Sequence, residues 1–184
     1  MRRRALIVTS LMGILMSEST DAQTNPDPAN TLYLDLKDGR VVIELRPDLA
    51  PKHVEQVKAL VAKKFYDNTP FHRVIEGFMA QGGDPTGTGM GGSDMPNVPA
   101  EFTKKAHFLR GTVGAARSGD PNSANSQFYI MFAPASHLDG QYTIWGRVVQ
   151  GMEFIDKIKR GAGGSGTVQN PDRIVRARMA TDPQ

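Results

Sequence analysis

Leu32, Leu34 and Leu36 alternate with Tyr33, Asp35 and Lys37, and a second apolar-rich run, Val41 to Leu45, follows Asp38-Gly39. Side chains along a strand point to opposite faces in turn, so these are two half-buried strands, and the Asp-Gly between them predicts a hairpin. After Arg46-Pro47-Asp48 the period changes. Val54, Val57, Leu60 and Val61 share one helical face, and Pro51 has the fixed φ that suits a first helical residue, so a helix is expected to about Lys64. Short runs rich in aromatic and β-branched residues follow at Phe71 to Ile75, Thr112 to Ala116, Phe128 to Phe132 and Tyr142 to Val149, separated by Gly, Pro and Asn. They read as strands of an antiparallel sheet or barrel. Met152, Ile155 and Ile158 return to helical spacing before Gly161, a residue suited to capping a second short helix. In a last strand, Ile174 to Ala180, Val175, Ala177 and Met179 alternate with Arg176 and Arg178. Gly161 to Pro171 reads as a glycine-rich connector of low complexity. The pattern is that of one β-rich domain, expected over residues 31–181.

Composition narrows this picture. With 184 residues, 39% of them hydrophobic, the chain can bury a full core. Nineteen Gly and twelve Pro fit a fold rich in turns. The absence of cysteine excludes disulfides, thiolate metal sites and cysteine nucleophiles. The net charge of +3 comes entirely from Arg2, Arg3 and Arg4, because the remaining 19 basic residues face 19 acidic ones. A nucleic-acid binder carries a basic stripe on its folded part, so no nucleic-acid partner is expected.

The three arginines and the apolar run Ala5 to Met16 are too short to span a bilayer core of ~30 Å. They read as the start of an export signal with a mediocre cleavage site at Thr20-Asp21-Ala22, or as residues upstream of a true start at Met16. The second reading is preferred, because Ser-Glu-Ser-Thr-Asp is a poor cleavage region. A cytoplasmic protein is then expected, a periplasmic one being the alternative. Residues 1–30 are expected to be a flexible leader outside the fold.

Several chemical motifs fail when tested against their context. Gly87-Thr88-Gly89-Met90-Gly91-Gly92 matches a dinucleotide fingerprint, but no buried strand leads in and Ser93-Asp94-Met95-Pro96 cannot open a helix. It is expected to be a surface loop. His53, His72, His107 and His137 show no metal-ligand spacing, and there is no serine elbow. What remains is Phe71-His72-Arg73-Val74-Ile75-Glu76-Gly77-Phe78-Met79-Ala80-Gln81-Gly82-Gly83-Asp84, which sets an Arg and a Gln among large apolar side chains. Two further segments join it: Arg110 to Arg117 with Pro121 to Ile130, and Leu138 to Val148.

On these three ordered motifs, from about Asn30 to Ala180, the sequence resembles the cyclophilins, the cyclosporin-type peptidyl-prolyl cis/trans isomerases, and their compact bacterial members most. The resemblance implies a closed eight-stranded antiparallel β-barrel capped by two α-helices, with an active groove on its outside and no cofactor. It implies Arg73 as catalytic arginine, Phe78 and Met79 as walls of a proline pocket, and Gln81 as a hydrogen-bonding group of the groove. Ala116 and Arg117 take the edge that binds the residue before proline, and Gln127, Tyr129, His137, Leu138 and Tyr142 complete the groove. The implied partners are proline-containing polypeptides met by a single copy of the chain. A module that holds proline segments as a chaperone or scaffold, with little turnover, is the rival reading.

The residue types suit that reaction. Rotation about an X–Pro bond meets a barrier of ~18–20 kcal/mol because the nitrogen lone pair is shared with the carbonyl. No covalent bond has to break. A guanidinium, always charged, can donate to the prolyl nitrogen once it becomes pyramidal, while an apolar socket holds the ring. Three positions depart from the family pattern. Tyr129 replaces a Phe and brings a hydroxyl to the pocket floor, where it needs water or a partner. His137 stands where cyclosporin-sensitive members carry Trp, and Tyr142 where many carry His. Weak cyclosporin binding is therefore expected, with His137 a rim residue that has no proton-transfer duty.

Overall fold

A computed structural model describes residues 26–183. Among the described residues there are eight strands and two helices: β1 (Thr31–Leu36), β2 (Gly39–Leu45), α1 (Pro51–Ala62), β3 (Arg73–Ile75), β4 (Met79–Gly82), β5 (Thr112–Ala115), β6 (Phe128–Met131), β7 (Ile144–Gln150), α2 (Met152–Ile155) and β8 (Arg176–Met179). Every strand pair is antiparallel, in the order β3-β4-β6-β5-β7-β2-β1-β8. The sheet curls into a half-barrel.

The barrel expected to be closed is open at the strand level, since β3 and β8 stand at opposite ends of the order. The chain just before each of them meets instead: Asn68 N–H donates to Ile174 O, Ile174 N–H to Thr69 O, and Phe71 N–H to Asp172 O, at 2.8–3.0 Å. Pro70 and Arg173 form a single antiparallel bridge there, at a position that needs no N–H from the proline, so the seam is one bridge between loop segments and not a ladder between β3 and β8.

Alternation along the strands separates two apolar layers. Leu32, Leu34, Val41, Ile43, Val74, Ala80, Val113, Phe128, Ile130 and Trp145 point into the main core, joined by Val54, Val57, Leu60 and Val61 of α1 and Ile155 of α2. Phe128 anchors it, with the rings of Tyr66, Phe71 and Trp145 edge-on at 5.7, 6.3 and 5.9 Å. On the opposite face Met79, Phe108, Tyr129, Met131, Leu138 and Ile144 form a second, smaller layer. β6 is covered on both sides, which is why Phe128 to Met131 is unbroken in its apolar character.

In β8 the expected alternation is only half realised. Ala177 and Met179 are buried, but so is Arg178, whereas Val175 is 60% exposed. Arg178 lies opposite Tyr33 of β1, and that ring covers its guanidinium at 5.3 Å. α2 ends at Ile155, and Ile158 is buried from the turn that follows.

Most of the expected leader, including Met16 and the cleavage site, lies outside the described residues. At its end, Pro28–Asn30 form a 3₁₀ turn capped by the Asp27 carboxylate, and Asn30 Oδ1 accepts from Lys58 Nζ of α1 at 2.8 Å. Among the described residues no helix is long and apolar enough to cross a membrane.

α1 has no local side-chain cap at Ala50. Glu101, about fifty residues on, takes that place by accepting from the N–H groups of Lys52 and His53, both at 3.0 Å. Its carboxylate also meets His53 Nδ1 at 2.6 Å. Among the described residues the buried Nε2 of His53 has no partner, which favours the tautomer with the proton on Nδ1. Burial pushes the His53 pKa down and outweighs the opposite pull of Glu101. Burial lowers His72 as well.

Two outcomes follow for stability. Both histidines take up a proton less readily in the fold than in the unfolded chain, which does so near the ordinary value of ~6.5. The contribution is therefore fully present above that value and is lost as pH falls below it, so the urea midpoint should drop between pH 7 and pH 5. Glu101→Gln, which cannot accept both helix N–H bonds with a charged group, should cost ~1–2 kcal/mol of unfolding free energy at pH 7.

Candidate active site

The site begins as a row across four strands. Antiparallel register sets Arg73 of β3 opposite Gln81 of β4, Gln81 opposite Tyr129 of β6, and Tyr129 opposite Gly114 of β5. Residues directly opposite share a face, so the alternation that sends Val74, Ala80 and Ile130 into the core turns this row to the outer layer.

Hydrogen bonds tie the polar members together. Arg73 Nη1 donates to Gln81 Oε1 at 3.2 Å, and Arg73 Nε donates to the carbonyl of Ser165 at 2.9 Å. Gln81 Nε2 donates to Gln127 Oε1 at 3.0 Å, and Gln127 Nε2 donates to the carbonyls of Gly89 and Gly91 at 2.9 and 2.8 Å. Arg117 lies across the ring of Tyr142, its guanidinium carbon 4.3 Å from the centroid, and donates to the carbonyls of Ser118 and Gln141.

These groups rim a hollow of about 230 Å³ lined by Arg73, Phe78, Met79, Gln81, Ala116, Arg117, Tyr129, Leu138 and Tyr142. Nine of the eleven residues singled out from the sequence thus meet in one cavity. Gln127 is one step removed: it braces Gln81 and lines a neighbouring hollow of about 440 Å³. His137 is exposed and lies outside the lining, with its ring stacked 5.9 Å from that of Phe78.

Tyr129 forms the floor. Its ring stacks on Phe108 at 5.8 Å and meets Tyr142 edge-on at 6.1 Å. Burial drives its phenol pKa far up, and among the described residues the hydroxyl has no hydrogen-bond partner. Room for that hydroxyl comes from Gly114, where a Cβ would sit 2.8 Å from it and 2.7 Å from the Phe108 ring.

The larger hollow was not visible in the sequence. It shares Gln81, Ala116 and Arg117 with the first and adds the Gly89–Gly92 loop, Asn97, Ser118 and Asn125. The glycine run rejected as a nucleotide loop is its wall. Asp84 knots that loop by accepting from the Thr86 hydroxyl and from the N–H groups of Thr86, Gly89 and Gly91, at 2.7–3.1 Å. Burial alone would raise the Asp84 carboxyl, but these donors prevail and hold it at about 2. The usable signal was an Asp followed two residues later by Thr and then by glycines, the pattern of a side-chain-closed turn.

Comparison with known proteins agrees with this geometry. The family model for cyclophilin type peptidyl-prolyl cis-trans isomerases matches residues 31–179. A Brucella suis protein named as a probable peptidyl-prolyl cis-trans isomerase is 54% identical over 168 residues, which cover 85% of either chain. Among solved structures, the cyclophilin AquaCyp293 from Hirschia baltica superposes with a TM-score of 0.77 at 29% identity, over 86% of this chain and 77% of that one. A Cryptosporidium parvum cyclophilin, crystallised in the presence of the dipeptide Ala-Pro, gives 0.75 at 28%, over 83% and 99%. A curled eight-stranded sheet with two helices, an arginine beside an apolar hollow on its outer face, and these likenesses have one reading: the chain belongs to the cyclophilin-type peptidyl-prolyl cis-trans isomerases.

Proposed function

We propose that this groove rotates X–Pro peptide bonds in protein chains, with Arg73 as the catalytic residue, and so assists folding. The observation that carries the reading is the arginine's placement: a guanidinium braced by Ser165 O and Gln81 Oε1 stands at the edge of a hollow walled by Phe78, Met79, Tyr129 and Leu138. Phe78, Met79, Tyr129 and Leu138 offer the pyrrolidine ring a socket. Arg73 faces the prolyl nitrogen, whose lone pair is released only when the amide twists. That donation is stronger in the twisted state than in either planar one, which is what raises turnover rather than mere binding. An acceleration of about 10⁵ needs ~7 kcal/mol, within the range of a charged hydrogen bond in a partly dry site together with positioning. No proton changes hands. Chain extending past Gln81 and Arg117 would enter the larger hollow, beside the Gly89–Gly92 loop and Asn97.

A pure proline-binding module would have no use for a guanidinium held in place by two acceptors, which favours the enzyme. Arg73→Ala should lower isomerisation of a proline peptide by a hundredfold or more while leaving the fold and much of the peptide affinity intact, as read by exchange NMR and titration. Unchanged turnover would leave the binding module as the better account.

The floor and rim give two further outcomes. Tyr129→Phe removes a buried hydroxyl without a partner, so it should raise stability by ~1 kcal/mol in urea unfolding and keep isomerase activity. For cyclosporin we propose weak binding, because the exposed imidazole of His137 offers much less apolar area than an indole. His137→Trp should strengthen inhibition by cyclosporin at least tenfold in a titration.

A further inference from the structure

The segment 161–168, a mere connector by its composition, runs along the free edge of β3. Gly161 N–H donates to Val74 O at 2.9 Å, Val74 N–H to Gly166 O at 2.7 Å, and Val168 N–H to His72 O at 3.0 Å. These bonds flank Arg73 on both sides, and Arg73 itself bridges to Thr167. Covering a sheet edge needs no more than that. Yet one further carbonyl, that of Ser165, accepts from no backbone group of β3 and instead takes the Arg73 Nε–H at 2.9 Å.

We infer that this glycine-rich segment is a positioning element for the catalytic arginine, with the Ser165 carbonyl as the group that sets the guanidinium plane. The inference rests on the assignment of Arg73 made above. A guanidinium carries five N–H donors in one plane. A single acceptor leaves that plane free to swivel about the bond. Two acceptors from different parts of the chain, Ser165 O on Nε and Gln81 Oε1 on Nη1, fix it and leave the other donors for substrate.

Delivering that carbonyl requires a very tight crossing. A Cβ on Gly161 would lie 1.9 Å from the carbonyl oxygen of Gly166. Gly166 has φ +73°, and a Cβ there would come within 2.4 Å of Ile75 Cγ1 and 3.1 Å of Val74 O. Gly164, by contrast, faces open space. The glycines are thus not equivalent, and those at the crossing decide where Ser165 O stands.

Four measurements on the full chain test this. In the unaltered protein, the Arg73 Nε–H resonance, assigned by through-bond correlation to the Arg73 backbone amide, should exchange slowly with solvent; exchange as fast as that of exposed arginines would overturn the inference without any variant having to fold. Gly166→Ala should lower kcat by tenfold to a hundredfold, the scale of a displacement of about 1 Å, with the Kd of the proline peptide within twofold. Gly164→Ala should leave kcat unchanged, and an equal loss there would sink the claim. In an Arg73→Ala background, Gly166→Ala should cost no further turnover. A full further loss there, or a raised Kd with kcat intact, would mean that the segment acts only on the fold. If Arg73→Ala alone has no effect, it is the assignment of Arg73 that fails. If Arg73→Ala is inactive and Gly166→Ala is not, only the role of the segment fails.

Discussion

The register of β3, β4, β6 and β5 is the constraint on which everything else depends. It sets Arg73, Gln81, Tyr129 and Gly114 in one row and their chain neighbours in the core. A slip of one residue would exchange the two faces, burying a guanidinium and a carboxamide while exposing Val74, Ala80 and Ile130. The energy that pins the register is therefore the burial of the main core, and the groove inherits its geometry from a layer it does not touch. Phe128, with three rings edge-on around it, is the clearest instance, since it anchors the strand whose next residue is the pocket floor.

The loops complete what the strands begin. Both hydrogen-bonded chains that leave Arg73 end on glycine-rich backbone: one at Ser165, the other through Gln81 and Gln127 at Gly89 and Gly91. A backbone carbonyl is an acceptor that needs no rotamer and is always available, but it can come close only where no Cβ intervenes. That is the physical use of the glycines, and it explains why loops of low complexity stand beside an ordered site. The carboxylate of Asp84, kept charged by four donors, gives the second loop a fixed shape.

Much of this was legible beforehand. The β1–β2 hairpin, whose turn falls at Lys37-Asp38 with Gly39 already paired to Leu36, the helix opened by Pro51 and the strand at Phe128 each follow from period and turn chemistry, because they depend on contacts that short stretches make with a generic core. The groove residues were legible through the resemblance, not through periodicity, which has no reason to single out Arg73. Two things differ from that reading, each for want of a partner distant in the chain. Arg178 was expected to share the outward face with Arg176, but the Tyr33 ring across the ladder covers it. The sheet stays open between β3 and β8, where the segments that precede them share a single bridge, Pro70 to Arg173.

By itself, then, the sequence determined what period and residue chemistry can determine: which stretches alternate, where turns must fall, that the folded part is nearly neutral, and that an arginine stands among apolar residues without any nucleophile or metal-ligand pattern. Those properties are local or additive. Tertiary structure alone decided which side chains face one another: that Glu101 caps a helix about fifty residues away, that Tyr129 places its hydroxyl over Gly114, and that a glycine connector reaches back to hold Arg73. These are pairings between remote segments, and such pairings are settled by the packing of the whole sheet, because no short window of sequence contains both partners.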